Sequence, residues 1–183
     1  MSKVTLFYYN NSWYQPGNKL KIAIWVLVSF FIFEHSLPIP SKFKILFLRF
    51  FGAKLGKSIV IKPGCKIKYP WFLEVDDNVW LGENCWIDNL AKVTIENDCC
   101  ISQGAYIFTG NHDYKKSMFN LMVHPITLKA GCWVGAKSIV CPNVILGENS
   151  ILSAGSVATH DLEPFGIYQG NPAILKRKRI FED

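Results

Sequence analysis

A chain of 183 residues, 50% hydrophobic and 19% charged, is sized for one packed domain and excludes a disordered protein. Its net charge of +6 points to anionic partners such as phosphates, nucleic acid or a membrane surface, without choosing among them. Six cysteines with no CxxC pair, and no secretory signal pattern, argue against a disulfide framework and for the reduced cytoplasm.

Residues 1–54 carry no repeat. The run "IAIWVLVSFFIF" at 22–33 has 12 residues. As a helix it reaches about 18 Å, against a hydrocarbon core of about 30 Å, so it is too short to cross a membrane. Two readings stay open. One is a buried capping helix. The other is an interfacial helix leaning on a membrane, helped by Lys19 and Lys21. A second basic and apolar segment, "SKFKILFLRFFG" at 41–52, follows Pro38 and Pro40 and predicts a second helix after a kinked link. Peripheral membrane contact, at the inner face, would run through residues 19–51.

From Leu55 the chain keeps a six-residue beat: Leu55, Ile61, Ile67 and Leu73, then Val75, Leu81, Ile87 and Val93, then Ile95, Ile101 and Ile107. It resumes at Ile126 and continues through Leu128, Val134, Val140, Leu146, Leu152 and Ala158. The frame slips by two at "LEV" (73–75), "VTI" (93–95) and "ITL" (126–128), giving a larger period of 20 residues. The fourth start falls 33 residues after Ile95, so 33 − 20 = 13 residues are inserted, within 108–125. Such units close triangular coils that stack at about 4.8 Å, with the aliphatic residues inside. A mainly β, single-stranded triangular prism is therefore predicted over 55–162, with a helical cap before it and a loop and basic tail at 163–183. Glycines at the second places, Gly56, Gly82, Gly135 and Gly147, are expected to relax the backbone at corners. Cys65, Cys85, Cys99 and Cys132 share the fifth place with Ala and Ser, which makes them small structural residues. Trp80, Trp86 and Trp133 at the sixth place are expected to face outward.

The segments "WIDNLAKVTI" (86–95), "ISQGAYIFTGNHDY" (101–114), "ILSAGSVATHDL" (151–162) and "YQGNPA" (168–173) resemble the O-acetyltransferases of exopolysaccharide assembly, the colanic-acid type. More distantly they resemble the maltose, galactoside and nodulation-factor acetyltransferases. The resemblance implies a left-handed parallel β-helix, where the usual crossover rule would give the opposite hand. It implies acetyl-CoA as donor, a sugar or glycan-precursor acceptor, a homotrimer, and neither metal nor nucleic acid. It assigns His112 as the base that deprotonates the sugar hydroxyl, a task suited to imidazole near neutral pH.

Asp88, Asn89 and Asp113 are the acceptor-binding candidates, with Asp113 also able in principle to orient the ring. Neighbours in a strand point to opposite faces, however, so a solvated loop acid is the competing reading of Asp113. The donor candidates are Gly135, Ala136, Ala154, Gly155, Thr159, His160, Lys176 and Arg177. His160 stands where the family carries Lys, and Ile174 where some relatives carry Arg. Lys115, Lys116, Met118, Phe119 and Met122 read as an arm reaching toward a neighbouring subunit or the acceptor. Two rival readings stand beside this one. A carbonic-anhydrase-like metal site would need three converging histidines, and only His112, His124 and His160 lie in this half. A non-catalytic scaffold at a membrane edge is the other.

Overall fold

The structure, a computed structural model, describes residues 3–182. From Lys54 onward short parallel strands stack into three flat faces. The first face joins Lys54–Leu55, Leu73–Val75, Val93–Ile95, Ile126–Leu128 and Ile145–Leu146. The second runs from Val60–Ile61 through Trp80–Leu81, Cys100–Ile101 and Trp133–Val134 to Ile151–Leu152, and ends in the hairpin Gly166–Gln169 and Ile174–Lys178. The third holds Lys66–Ile67, Trp86–Asp88, Tyr106–Phe108, Ile139–Val140 and Val157–Ala158. This is the left-handed parallel β-helix that the repeat and the resemblance imply.

Register follows from the beat. Val75 pairs with Leu55 and Ile95, and Ile95 pairs with Leu128 across the insertion. Lead positions after Leu55 are buried, because an inward side chain has only the neighbouring coils' aliphatics to meet. The cysteines at the fifth place are buried free thiols; Cys65 and Cys85 stand 3.3 Å apart, sulfur to sulfur. Trp80, Trp86 and Trp133 face outward as expected.

The second-place glycines need a different explanation from the one expected. A Cβ on Gly135 would lie 2.5 Å from the Ala154 nitrogen, so the position lacks space rather than needing unusual torsions. The left-handed backbone sits two residues later, at the fourth place of the units on the first and second faces, where even Ser58 and Lys137 adopt it. Asn78, Asn84, Asp98 and Asn149 adopt it there, as do glycines such as Gly155 (φ +69°), and Asn143 does so after the third face. Asn, Asp and Gly are the residues that tolerate that region.

Two helices close the open end: α1 (Lys19–Ile32) and α2 (Ser41–Phe50). Asn18 caps α1 by accepting from the Leu20 and Lys21 amides. Trp25, Phe33, Leu48 and Phe51 bury against the first coils. The first coil also exposes carbonyls with no coil beneath them, and the helices supply donors. Arg49 donates to the Leu55 and Gly56 carbonyls, Lys44 to those of Ile61 and Lys62, and the Trp25 indole to that of Ile67. Among the described residues no helix is long and apolar enough to cross a membrane.

Candidate active site

The 13 inserted residues form more than the loop expected. Gly110–His112 pairs antiparallel with Leu121–Val123, so the insertion is a short hairpin at the corner between the third and first faces. Thr109 anchors its base from a buried position, accepting from the Ala91 amide at 2.9 Å and donating to the Asp88 carbonyl at 3.2 Å. The tip turns where the Asp113 carboxylate accepts from the Lys115 amide, and Phe119 takes a left-handed conformation (φ +51°).

His112 is half-buried, and its surroundings are aromatic. The Phe119 ring stacks on the imidazole at 4.3 Å between centroids, with 6° between planes. The Phe119 carbonyl oxygen lies 2.8 Å from Nδ1. A carbonyl only accepts, so Nδ1 carries the proton and Nε2 keeps its lone pair. Phe119 thus folds back onto the histidine, while Lys115, Lys116, Met118 and Met122 stay exposed.

The N-terminal segment forms a second wall. It descends the same corner, with the Thr5 amide on the Ser117 carbonyl, the Tyr9 ring 5.6 Å from the imidazole, and the Tyr14 hydroxyl donating to the Leu90 carbonyl at 2.6 Å. Trp71 fixes its lower end through the Pro16 carbonyl. Burial, with Tyr69 and Asp88 adding to it, pushes the Tyr14 hydroxyl well above its ordinary range. The repeat-based reading gave no signal for Tyr9 or Tyr14, because this segment has no period of its own.

The three acceptor candidates separate. Asp88 pairs with Lys68 at 2.9 Å and lies 3.5 Å from the Tyr106 hydroxyl, on the coil below the hairpin. Burial first and then Asp88 raise the Tyr106 hydroxyl above its usual value. Asn89 is fully buried and spends its amide on the Tyr69 backbone, accepting at 3.0 Å and donating at 2.7 Å. That geometry makes Asn89 a corner clasp rather than an acceptor contact. The Asp113 carboxylate is used within the turn, and a backbone carbonyl, not this acid, orients the ring.

On the donor side, a groove of about 400 Å³ runs along the second face. Gly135, Ala136, Ala154 and Arg177 line it, together with the outward Trp133 of the sixth place and with Ser102, Gln103 and Ile167, which the repeat alone did not single out. Trp133 is held there by its indole donating to the Ser102 hydroxyl at 2.8 Å. Gly155, Thr159, His160 and Lys176 lie outside the groove lining. Gly155 serves the left-handed corner, and Thr159 and His160 pair with each other at 2.9 Å on the exposed corner after Ala158. Lys176 is exposed beside Arg177 on the terminal strand. Among the described residues, no three His, Cys, Asp or Glu side chains gather to hold a metal.

Residues 125–160 match the family described as bacterial transferase hexapeptide (six repeats). WcaF of Escherichia coli (strain K12), which carries the name of a colanic acid biosynthesis acetyltransferase, is 34% identical over 167 residues, 91% of this chain and 92% of its own. This chain belongs to the hexapeptide-repeat acetyltransferases. The same prism recurs in the family member VCA0836 of Vibrio cholerae, with TM-score 0.79 and 19% identity over 87% of this chain and 91% of that one. A galactoside acetyltransferase solved in complex with coenzyme A gives TM-score 0.77 and 21% identity over 87% and 80%. Membership in an acetyltransferase family leaves the scaffold reading without an observation of its own.

Proposed function

We propose that the chain transfers an acetyl group from acetyl-CoA to a hydroxyl of a sugar or glycan precursor, with His112 as general base. The observation that carries this is the ring held by Phe119, which leaves the Nε2 lone pair available at the corner between the third and first faces. Nε2 takes the hydroxyl proton while the acceptor oxygen attacks the thioester carbon. The tetrahedral intermediate then expels the sulfur, which recovers the proton from the imidazolium and leaves as the CoA thiol. The sugar keeps the acetyl ester.

The Gly135 amide is spent on the Leu152 carbonyl, whereas among the described residues no carbonyl takes the Ala136 amide. Ala136 is therefore the candidate oxyanion donor. Arg177 at the groove edge suits the nucleotide phosphates of the donor. The likeness to WcaF supports a cell-surface glycan precursor as acceptor, and the CoA complex of the galactoside acetyltransferase supports the donor.

Within one chain the groove lies on the second face and His112 at the corner beyond the third. The reading therefore includes a trimer in which His112 of one copy meets the groove of the next. The test is thiol release from acetyl-CoA against free, nucleotide-linked and lipid-linked sugars. His112→Ala is expected to lower turnover about 10²- to 10⁴-fold with the fold and CoA binding intact. Turnover near wild type in that variant would overturn the role.

A further inference from the structure

The base of the prism carries a surface that acetyl transfer does not use. α1 turns Trp25 and Ser29 onto the prism, and α2 turns in Lys44 and Leu48. The opposite side of α1 is a stripe of Leu20, Ile24, Leu27 and Phe31, which are 69%, 44%, 60% and 66% exposed. Spacings of four, three and four residues place them on one helical face. Phe43, Leu46 and Phe50 form the matching stripe on α2, and Phe50 is 82% exposed. The stripes meet in a cleft where Leu20 and Ile24 face Phe50, so the apolar surface is continuous. Scattered exposed leucines need no explanation, but a continuous face of large aliphatic and aromatic side chains does.

Charge identifies what the face fits. Between residues 18 and 57 the chain carries seven basic residues and the single acid Glu34. Lys44 and Arg49 donate to first-coil carbonyls, Lys54 pairs with Glu74 and Lys21 lies over the Trp71 ring, which leaves Lys19, Lys42 and Lys57 on the surface. Glu34 is engaged with the Ser29 hydroxyl at 2.8 Å and with Lys66 at 3.8 Å. Lys19 and Lys42 sit in the first turns of α1 and α2, where a cation opposes the helix dipole. Among the described residues neither has a carboxylate partner. Helix stability therefore does not account for them, whereas an anionic surface beside the apolar stripes does. α1 has 14 residues, about 21 Å, too short to span a bilayer but suited to lying within its interface.

We propose that the α1–α2 face seats the base of the prism on an anionic lipid bilayer, the two stripes entering the headgroup–acyl boundary and Lys19 and Lys42 meeting lipid phosphates. The proposal is independent of the acetyl-transfer reading, since it uses neither the groove nor His112.

The test is sedimentation of the full chain with phosphatidylglycerol–phosphatidylcholine vesicles, with pure phosphatidylcholine as control. Wild type is expected to pellet with the anionic vesicles, and several-fold less with the neutral ones or at high salt. Leu27→Glu with Phe31→Glu should lower partitioning at least tenfold, with circular dichroism and oligomer size unchanged. Lys19→Glu with Lys42→Glu, which leaves the apolar face intact, should abolish the anionic preference. Absence of wild-type binding, or wild-type binding by either pair, overturns the proposal. So does a change of oligomer size in the Leu27/Phe31 variant without lipid, because the face would then be covered by another copy of the chain.

Discussion

Asp88 and Asn89 are neighbours of similar polarity with opposite fates. Asp88 leans out toward Lys68 and Tyr106, while Asn89 turns inward and clasps both the amide and the carbonyl of Tyr69, 20 residues earlier. Removing that clasp leaves two backbone groups without partners at a buried corner, which costs about 1–3 kcal/mol for each unsatisfied group. Asn89→Ala is expected to lower the melting temperature by several degrees while leaving the acceptor KM within about twofold. Thermal denaturation beside steady-state kinetics separates the outcomes, since a KM raised tenfold at unchanged stability would return Asn89 to the acceptor site. The pair shows what a linear reading misses: it registers that two polar residues lie at a corner, but not which one faces water. His112 is the converse case. Its motif marked it, yet the residues that hold its ring, Phe119 and Tyr9, are joined to it only by a hairpin turn and by an N-terminal segment with no repeat.

The helical cap solves a problem that every β-helix has at its open end. Coils satisfy one another's backbone groups, so the first coil is left with carbonyls facing outward. Arg49, Lys44 and Trp25 serve all three faces, and Lys44 does so from a fully buried position, where burial pushes its ammonium pKa down. Lys44→Ala removes donors from two carbonyls and leaves a cavity, with an expected loss of about 2–4 kcal/mol in urea unfolding. Lys44→Met keeps most of the volume and removes a desolvated charge, so a smaller loss is expected. Equal losses in the two variants would show that hydrogen bonding, not packing, explains the lysine. The coils themselves were legible because one inward aliphatic per six residues suffices to define a strand and its neighbour above. The corners were only half legible. Gly135 is a space-limited residue rather than a relaxed one, and the left-handed turn lies two places further on, at Lys137. The hairpin was legible as an interruption but not as a shape, since its pairing depends on one turn closed by Asp113 and Phe119.

At the scale of the whole molecule, the separation of the groove from His112 makes a quantitative demand on assembly. The polypeptide reaches the groove at Gly135 and Ala136 on leaving the second face, and it reaches His112 only where the third face gives way to the first. If each site of the proposed trimer takes its histidine from one copy and its groove from the next, two inactive variants should rescue each other. His112→Ala supplies an intact groove; Ala154→Trp, which fills the groove lining, supplies an intact histidine. After co-refolding in equal amounts with random assortment, a given site has one chance in two of a sound histidine and one in two of a sound groove. About a quarter of wild-type activity is then expected, from a mixture whose parents are each nearly inactive. Thiol release measured on the mixed and on the separately refolded variants decides the matter. If each site is built within one chain, every subunit in the mixture carries a defect and no activity returns, and the shared site is lost with it.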